Sequence, residues 1–293
     1  MQGLLVINKS KGITSFGVVN KLRKILGEKR IGHTGTLDPL ASGVLVCLVG
    51  RPCVLSNYIM SSNKTYIAKL KLGVKTDTYD ITGEVLENSE KTVTQDEFSS
   101  VVNSFLGESL QLPPMFSAKK VNGQKLYELA RRGEEIERKP SKIFVEKIEI
   151  LNFLENEAEI LVTCSKGTYI RSLINDIGEK LGCFATMTEL IRTHNGGFDI
   201  ENAVSLENLT SENVSEYLIS AEGAVLNYKA VKVTQKQAIR FYNGGELDIE
   251  RIYGFNADED EVLRVKYLDV FVGLGIKKGN SLKVLCPIEN PNI

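Results

Sequence analysis

One stretch of the chain, residues 32–49, reads GHTGTLDPLASGVLVCLV. It begins with a glycine-rich segment, 32–43, that contains one histidine and one aspartate, His33 and Asp38. It continues into a wholly apolar run at 44–49 with glycines on both sides. A short apolar run between turn residues is typical of a β-strand that is buried on both faces. We therefore predict a shaped loop that presents Asp38 and leads directly into a core strand.

Asp38 has the greatest chemical capability of the residues in this loop. Glycine lets the backbone adopt positive φ or approach a ligand closely, and Pro39 stiffens the position after the carboxylate. Such a carboxylate can act as a nucleophile, a base or an electrostatic stabiliser. For an isolated loop aspartate, however, capping of the next turn is the commoner role. A phosphate-binding loop is not indicated, because no Gly-Lys-Ser/Thr sequence follows.

Apolar periodicity outside this loop predicts a mixed α+β fold. Strands are predicted at 3–8 and 66–72, in addition to 44–49. A helix is predicted to follow Thr14 and end at Gly27. Its apolar positions are Phe16, Val19, Leu22, Ile25 and Leu26. Because strands and helices intermix without a regular strand–helix–strand repeat, a doubly wound parallel sheet is not indicated.

The remainder of the chain divides into a helix-containing part and a β-rich tail. Helices are predicted at 95–106, 124–131 and 171–181, and two strands are predicted within 142–164. After residue 228, short β-rich pieces alternate with glycine-rich or acidic turns, at 230–233, 262–265, 270–275 and 281–285. We predict two domains, 1–227 and 228–293, with the acidic region 199–222 as their junction.

The composition of the 293-residue chain, 42% hydrophobic and 25% charged, is that of a globular protein. No apolar run approaches the roughly eighteen residues of a membrane helix, so no membrane association is predicted. The N-terminus lacks the pattern of a secretion signal, which predicts a cytoplasmic protein. Five cysteines without C-x-x-C spacing indicate buried, reduced thiols, and two separate histidines offer zinc almost no ligands. We expect no metal site.

The net charge of −1 argues weakly against a nucleic-acid partner, but the charges are unevenly distributed. Segment 1–35 has seven lysines and arginines and one acid, and segment 64–75 has four lysines and no acid. Acids concentrate in 199–222 and 246–262. The pattern predicts one basic face, although for any single run solvated charges on amphipathic elements are the commoner explanation.

Five blocks of the sequence resemble, in the same order, the motifs of the TruB family of pseudouridine synthases. These bacterial enzymes modify uridine 55 in the T loop of tRNA. The segment 32–45 around Asp38 resembles their catalytic motif. The other blocks are KTY at 64–66, PPMFSAKK at 113–120, CSKGTYIRSL at 164–173, and LIR at 190–192 followed by Gly197-Phe198. One departure is Ser10, where the family usually has proline, which concerns the rigidity of its loop and not the carboxylate.

The resemblance implies an architecture and a reaction. The architecture is a mixed, mainly antiparallel sheet of the pseudouridine synthase type, followed by a β-rich tail at 228–293 that resembles a PUA domain. The reaction is isomerisation of uridine to pseudouridine, with Asp38 as the catalytic carboxylate. The partner is tRNA, and no obligate protein partner is expected. No cofactor is expected, since an isomerisation involves no net redox change or group transfer.

The resemblance also assigns roles around the target base, which must leave the base stack before it can react. Tyr66 is the expected stacking partner, Leu190 lines the same pocket and Tyr169 adds a contact. Arg171 is expected to pair with Asp38 and keep it ionised. Taken singly, Tyr66 and Leu190 are more simply core residues, and Arg171 a surface charge. Their joint occurrence with Asp38 favours a site.

Residues expected to contact other parts of the RNA form a second group. His33 is expected to stack on or near the displaced T-loop base. Candidates for phosphate contacts are Lys9, Lys64, Lys119, Lys120 and Arg131, with Lys11, Arg23, Lys29 and Arg30.

Three alternative functions are left open by the sequence. A noncatalytic RNA-binding or tRNA-folding protein would share the basic segments and the PUA-like tail. A guide-RNA-dependent pseudouridine synthase would share the catalytic block. An aspartyl phosphotransferase could use the same loop, but the sequence lacks a P-loop or an Asp-x-Asp partner. The covalent role of Asp38 also stays open.

Overall fold

Strands and helices succeed one another irregularly in the computed structural model, which describes residues 1–59, 63–121 and 123–292. The elements up to residue 205 are, in chain order, β1 (Gly3–Lys9), α1 (Ser15–Leu26), β2 (Ile31–His33), β3 (Ser42–Val49), α2 (Ser56–Ile59), β4 (Lys64–Leu72), β5 (Val74–Thr76), β6 (Val85–Asn88), α3 (Gln95–Asn103), β7 (Gly107–Gln111), β8 (Lys120–Val121), β9 (Gln124–Lys125), α4 (Leu126–Ala130), β10 (Ser141–Leu154), β11 (Glu157–Cys164), α5 (Ile170–Leu181), β12 (Ala185–Asn195), β13 (Phe198–Asp199) and β14 (Val204–Ser205). The later elements are α6 (Val214–Tyr217), β15 (Lys229–Lys232), α7 (Gln235–Tyr242), β16 (Leu247–Asp248), β17 (Val262–Tyr267), β18 (Val270–Lys278) and β19 (Ser281–Pro287).

One large sheet organises the first two thirds of the chain. Its strand order is β14-β1-β3-β12-β4-β11-β10-β7, and β2 and β13 pair with β3 and β12. The strand pairs are antiparallel except for β1 with β14 and β3 with β12. The predicted mixed α+β fold with a mainly antiparallel sheet is confirmed.

β3 is buried on both faces, as its apolar sequence predicts. Alternate residues of a strand point to opposite sides of a sheet. Leu45, Cys47 and Val49 join the main core, into which α1, α3 and α5 also pack. The residues between them join a second cluster that includes Phe271 and Leu274 of β18. The strand that follows the Asp38 loop is therefore fixed by packing on two sides.

Gly43 allows β3 to begin where three strands meet. Its φ is 99°, and its backbone pairs with Lys9 of β1 and with Arg192 of β12. A Cβ atom at this position would lie 2.2 Å from the carbonyl oxygen of Arg192. Only glycine fits this conformation and this approach, so the loop that precedes Gly43 is tied to β12 as well as to β1.

α1 has the predicted limits but not entirely the predicted apolar face. The Thr14 hydroxyl accepts from the Gly17 amide at 2.9 Å, and Gly27 ends the helix in the left-handed conformation. Phe16, however, is 59% exposed. It lies about 100° around the helix from Ser15, which is the side that faces the sheet and the Asp38 loop. Phe16, one of the apolar positions at helical spacing, therefore does not face the core.

Two other predicted helices are shorter than their periodicity indicates. α3 ends at Asn103 rather than at residue 106, because the chain turns through Ser104, whose hydroxyl donates to the Val101 carbonyl, and then enters β7. In the 124–131 region, the first two residues form β9 against β8, and only Leu126–Ala130 is helical. α5 follows its prediction, with Gly182 as its left-handed cap. No helix in the described parts of the chain is long and apolar enough to span a membrane.

A second sheet forms the C-terminal part, in the order β15-β17-β18-β19-β16. Three of the predicted β-rich pieces lie within its strands and the fourth, 230–233, extends one residue beyond β15, whereas α7 was not predicted. The sheet has its own core, which includes Phe241 of α7 and Val265 of β17. Its β18 also contributes Phe271 to the cluster shared with β1 and β3. A domain boundary between residues 227 and 228 stays a prediction.

The shared cluster generates a stability prediction. Replacing the buried Phe271 with alanine should lower the free energy of unfolding by about 3–5 kcal/mol, because it leaves a cavity between the two sheets. Urea denaturation followed by circular dichroism measures this loss. Leu268→Ala, at an exposed position three residues earlier, should change the stability by no more than about 0.5 kcal/mol. Equal effects of the two substitutions would contradict the assigned packing.

Candidate active site

Hydrogen bonds hold the loop between β2 and β3 against the body of the protein. The Thr34 amide donates to the Val46 carbonyl at 3.0 Å. The Ser15 hydroxyl of α1 donates to the Leu37 carbonyl and accepts from the Leu37 amide, at 2.9 and 2.8 Å. The following residue, Asp38, keeps 33% of its side chain exposed. The loop is therefore a fixed support that presents one carboxylate.

Arg171 forms an ion pair with Asp38, as the resemblance implies. Its Nε lies 2.8 Å from Asp38 Oδ2, and its side chain is only 5% exposed. Nη1 donates to the Thr78 carbonyl at 3.0 Å and Nη2 donates to the Phe116 carbonyl at 2.8 Å. A second carboxylate, Asp80, places Oδ2 3.6 Å from Nη1. The guanidinium is thus oriented by four groups from three segments, and it fixes the position of the Asp38 carboxylate in turn.

Asp80 is a residue of this site that the sequence analysis missed. It is buried, and its Oδ1 accepts from the hydroxyl of Thr78 at 3.0 Å and from the amide of Thr82 at 2.9 Å. The preceding residue, Tyr79, has φ 62°, which is unusual for a residue with a side chain. In the sequence this segment resembles any polar turn, so only the approach of Arg171 reveals that Asp80 belongs to the site.

Arg192 fixes the other side of the loop. Its side chain is fully buried, and Nε donates to the Val44 carbonyl at 2.7 Å. Its Nη1 and Nη2 donate to the carbonyls of Thr36 and Gly35 at 3.5 and 3.2 Å. No carboxylate pairs with Arg192 among the residues that the structure describes. The guanidinium therefore links β12 to the start of β3 and to the loop that carries Asp38.

The five residues predicted to surround the target base line one cavity of about 610 Å³. Asp38 lines it from the loop, Tyr66 from β4 and Leu190 from β12, while Tyr169 and Arg171 line it from the start of α5. The volume lies within the range of about 300–1,000 Å³ that is common for ligand sites. Segments that are far apart in the chain thus converge on a single concave site around one ion pair.

Tyr66 and Leu190 belong to neighbouring strands of the large sheet. Leu190 pairs with Ala68 and Arg192 pairs with Tyr66 in the β12–β4 register. The alternation predicted for β4 is confirmed: Tyr66 and Ala68 are buried, whereas Lys69 is exposed. Burial raises the pKa of the Tyr66 hydroxyl, and the Arg192 guanidinium beside it opposes that shift. Tyr66 therefore contributes a neutral aromatic ring to the cavity wall.

The backbone of Tyr169 is held by one side chain. Its amide donates to Gln111 Oε1 at 2.8 Å, and its carbonyl accepts from Gln111 Nε2 at 3.0 Å. Gln111 is the last residue of β7 and is buried. This two-point contact fixes the entry into α5, from which both Tyr169 and Arg171 reach the cavity. No sequence pattern distinguishes Gln111 in advance, because its partner lies 58 residues away.

The Asp38 carboxyl has a raised pKa despite its ion pair. Burial in the cavity is the main cause, and the nearby Asp80 carboxylate adds to it. Arg171 acts in the opposite direction, as does Lys9. The expectation that Arg171 favours the ionised form is therefore correct in sign, but burial outweighs that effect. The site holds a partly desolvated carboxylate that is stabilised by one directed cation.

Lys9 is not a surface residue, and its predicted contact with an RNA phosphate is wrong. It is fully buried, and its ammonium group donates to the carbonyls of Ser10 and Ile13 at 3.1 and 2.8 Å. Burial lowers the pKa of Lys9 to about 8, while the charge of Asp38 opposes the shift. Lys9 therefore shapes the turn that contains Ser10, where the family usually has proline, and its charge acts on the nearby Asp38.

The other phosphate candidates occupy two environments. Lys64 and Lys119 line the cavity, where Lys119 donates to the Ser141 hydroxyl at 2.7 Å. Burial, followed by the charge of Arg192, lowers the pKa of Lys64 to about 8. Lys120 and Arg131 are exposed and do not line the cavity. Lys142 and Lys166, which the sequence analysis did not propose for phosphate contacts, also line it.

His33 lies at the end of β2 and not in the cavity wall. It is half-buried, and burial, followed by the charge of Arg192, lowers its pKa. The imidazole is therefore biased towards the neutral form, which is the form suited to stacking. Its expected contact with a T-loop base stays a prediction. Within residues 1–59, 63–121 and 123–292, no cluster of three or more His, Cys, Asp or Glu side chains could hold a metal ion.

Comparison with solved structures identifies the class of fold. The chain is 25% identical to a chain in the crystal structure of the archaeal box H/ACA sRNP Nop10-Cbf5 complex, with a TM-score of 0.74. The similarity covers 97% of this chain and 86% of that chain. The large mixed sheet and the small β-rich sheet are those of the pseudouridine synthase fold.

Comparison with protein families is more specific. Residues 23–170 match the TruB family pseudouridylate synthase (N terminal domain), and residues 171–224 match the tRNA pseudouridylate synthase B C-terminal domain. The chain is 45% identical to tRNA pseudouridine synthase B of Clostridium novyi, over 97% of this chain and 98% of the relative. It is 43% identical to the protein of the same name from Clostridium tetani, over 97% and 99%. The chain belongs to the TruB family.

The pKa of Asp38 predicts how its removal changes stability with pH. A carboxyl whose pKa is higher in the folded than in the unfolded protein destabilises the fold when ionised, and this effect is lost as the pH falls through the folded pKa. The stability of Asp38→Asn relative to the wild type should therefore decrease as the pH falls from 7, and should level off below about pH 3.8, the ordinary carboxyl value. Urea denaturation across this pH range measures the difference.

The control for this experiment is Asp269→Asn, which alters an exposed carboxylate outside the cavity. Its stability relative to the wild type should show no comparable dependence on pH. A stability of Asp38→Asn that increases relative to the wild type as the pH falls would contradict the raised pKa.

The hydrogen bonds that Arg192 donates to the loop and to β3 predict a loss of stability when they are removed. Arg192→Met should lower the free energy of unfolding by about 1–3 kcal/mol for each interior carbonyl left without a donor. The Leu37 amide, which donates to Ser15, should then exchange its hydrogen faster. Urea denaturation and hydrogen exchange measure the two effects. Arg131→Met, at an exposed arginine, is the control; unchanged exchange in the loop of the Arg192 variant would contradict the assignment.

Proposed function

We propose that this chain isomerises a uridine of tRNA to pseudouridine, and that its target is uridine 55 in the T loop. The family membership and the two relatives named tRNA pseudouridine synthase B support this reaction and substrate. The observation that carries the proposal is the ion pair between Asp38 and Arg171, which opens into a cavity of nucleotide-binding size.

The reaction breaks the bond between N1 of uracil and C1′ of ribose and forms a bond between C5 and C1′. A proton leaves C5 and N1 gains one, so atoms and electrons balance without a redox cofactor. Asp38 is the catalytic carboxylate in this proposal. It can attack C1′, attack the base or remove a sugar proton, and each route requires the ionised form that Arg171 favours.

The cavity walls supply the recognition of the flipped base. Tyr66 offers an aromatic face for stacking and Leu190 closes the pocket with apolar atoms. Tyr169 contributes a further contact beside the ion pair. His33 stacks on or near the T-loop base that the flipped uridine displaces. These roles depend on the cavity holding uridine, which the proximity of all three wall residues to Asp38 supports.

Cations around the cavity bind the RNA backbone in this proposal. Lys64 and Lys119 lie in the cavity wall, and Lys120 and Arg131 lie outside it. Contacts of this kind provide affinity and position rather than sequence selectivity. The β-rich region 228–293 acts as a PUA-like RNA-binding domain. The enzyme works in the cytoplasm and needs no protein partner.

Loss of the catalytic carboxylate is the direct test. Asp38→Asn and Asp38→Ala should reduce tritium release from tRNA labelled at uridine C5 by at least about 10³-fold, because the reaction has no alternative group at this position. Affinity for the tRNA, measured by filter binding, should stay within a few-fold of the wild type. Asp269→Asn is the matched control at an exposed carboxylate. Turnover retained by both Asp38 variants would refute the assigned role.

The structural likeness to the Nop10-Cbf5 chain favours one alternative, a synthase that needs a guide RNA and protein partners. Mapping pseudouridine on tRNA transcribed in vitro separates the two. The proposal expects modification at position 55 with the purified chain alone. Modification that appears only after a second RNA or protein is added would establish the alternative. tRNA refolding by Asp38→Asn, without modification, would reveal an additional RNA-folding activity.

A further inference from the structure

Phe16 is a large aromatic side chain that the fold leaves on the surface. It is 59% exposed on α1, although its neighbours along the helix pack in the main core. The guanidinium of Arg23 lies 5.5 Å from the centre of its ring. Arg23 is itself oriented, because Nη1 donates to Asn20 Oδ1 at 3.2 Å and Nη2 donates to the Ile31 carbonyl at 3.4 Å. The surface thus presents a ring and a guanidinium in a defined arrangement.

This pair lies beside the catalytic loop. The residue before Phe16, Ser15, makes two hydrogen bonds to Leu37, which directly precedes Asp38. The Gly12 amide, in the turn before α1, donates to the carbonyl of Pro39 at 2.7 Å. The start of α1 is therefore joined to both chain neighbours of Asp38.

The charges around the pair fit a polyanion. Exposed cations surround it in sequence, and none of them forms an ion pair with a carboxylate among the residues described: Lys11, Lys21, Lys24, Lys29 and Arg30. The one acid in residues 1–35, Glu28, accepts a hydrogen bond from the amide of Arg30. A basic surface with a single exposed aromatic ring is unsuited to an apolar protein partner, but it combines the two features of single-stranded RNA sites.

We propose that Phe16 and Arg23 form a stacking platform for an unpaired nucleotide that neighbours the target uridine. This inference rests on the proposed function. When a uridine leaves the base stack, its neighbours lose a stacking partner, and this loss contributes to the cost of flipping. Aromatic rings and guanidinium planes both stack on bases without selecting their sequence. The platform replaces the lost partner and thereby favours the flipped state at the adjacent cavity.

A single fluorophore can report on this contact directly. The chain contains no tryptophan, so Phe16→Trp in an Asp38→Asn background introduces one probe while blocking turnover. Titration with a T stem-loop RNA transcribed in vitro should change the emission of this tryptophan, with a midpoint equal to the Kd from filter binding. The matched control is Leu154→Trp in the same background. Leu154 is exposed at the far end of β10, about 40 Å along the strand from Ser141 in the cavity wall.

Affinity measurements give the second readout. Phe16→Ala should weaken binding of the stem-loop by about 5- to 150-fold, the range for loss of one stacked base. Phe16→Tyr should retain wild-type affinity, and Phe16→Leu, which keeps apolar bulk without a ring, should resemble Phe16→Ala. Repeating the comparison with RNAs that carry one abasic nucleotide near the target should identify the stacked nucleotide. With the RNA that is abasic at the stacked nucleotide, Phe16→Ala should cause no further loss of affinity.

Two outcomes would overturn the platform. In the first, the RNA binds but the emission of the tryptophan at position 16 does not change, and the affinity of Phe16→Ala for the RNA is within two-fold of the wild-type affinity. The other is an emission that depends on protein concentration without RNA, which would indicate contact between copies of the chain. Failure of the proposed function is distinguishable. In that case the wild type releases no tritium from labelled tRNA, even if the emission responds to the stem-loop.

Discussion

The ion pair between Asp38 and Arg171 is the interaction around which the site is built. Both groups lose hydration, and a cation that is 5% exposed is tolerated only when its donors are satisfied. Arg171 meets this condition through two backbone carbonyls and the second carboxylate, Asp80. The loop between β2 and β3, the 78–82 turn and the start of α5 must therefore keep their relative positions for the pair to exist. The geometry of the cavity follows from this requirement.

A second level of support acts on the backbone of the loop. Arg192 donates to three carbonyls near Asp38, and Lys9 donates to two carbonyls of the turn between β1 and α1. Both cations are fully buried, and both use main-chain oxygens as their partners. Their charges also act on the site electrostatically, since Lys9 opposes the rise in the pKa of Asp38. Basic residues that seemed suited to RNA phosphates in the sequence thus have two separate uses, inside the fold and on its surface.

Much of the fold could be predicted because its main elements have clear periodicity. β3 is a continuous apolar run, and it is buried on both faces as predicted. α1 and α5 have polar or glycine caps at the predicted limits. The errors occur where periodicity carries no information about the neighbour. Phe16 has helical spacing but lies outside the buried stripe, and α4 is shortened because the first residues of its segment pair as a β-hairpin.

The sequence by itself determined the elements, the loop that carries Asp38 and, through family resemblance, the residues of the cavity. These depend on local patterns and on motifs that are contiguous in the chain. Only the tertiary structure decided the partners of those residues. Asp80 and Gln111 belong to the site although their segments carry no motif, and Lys9 is buried rather than exposed. The roles of Asp80 and Gln111 depend on partners tens of residues away, and the burial of Lys9 depends on the packing of the whole fold around its turn. The energy of a buried charge or amide is set by this environment, which local sequence does not show.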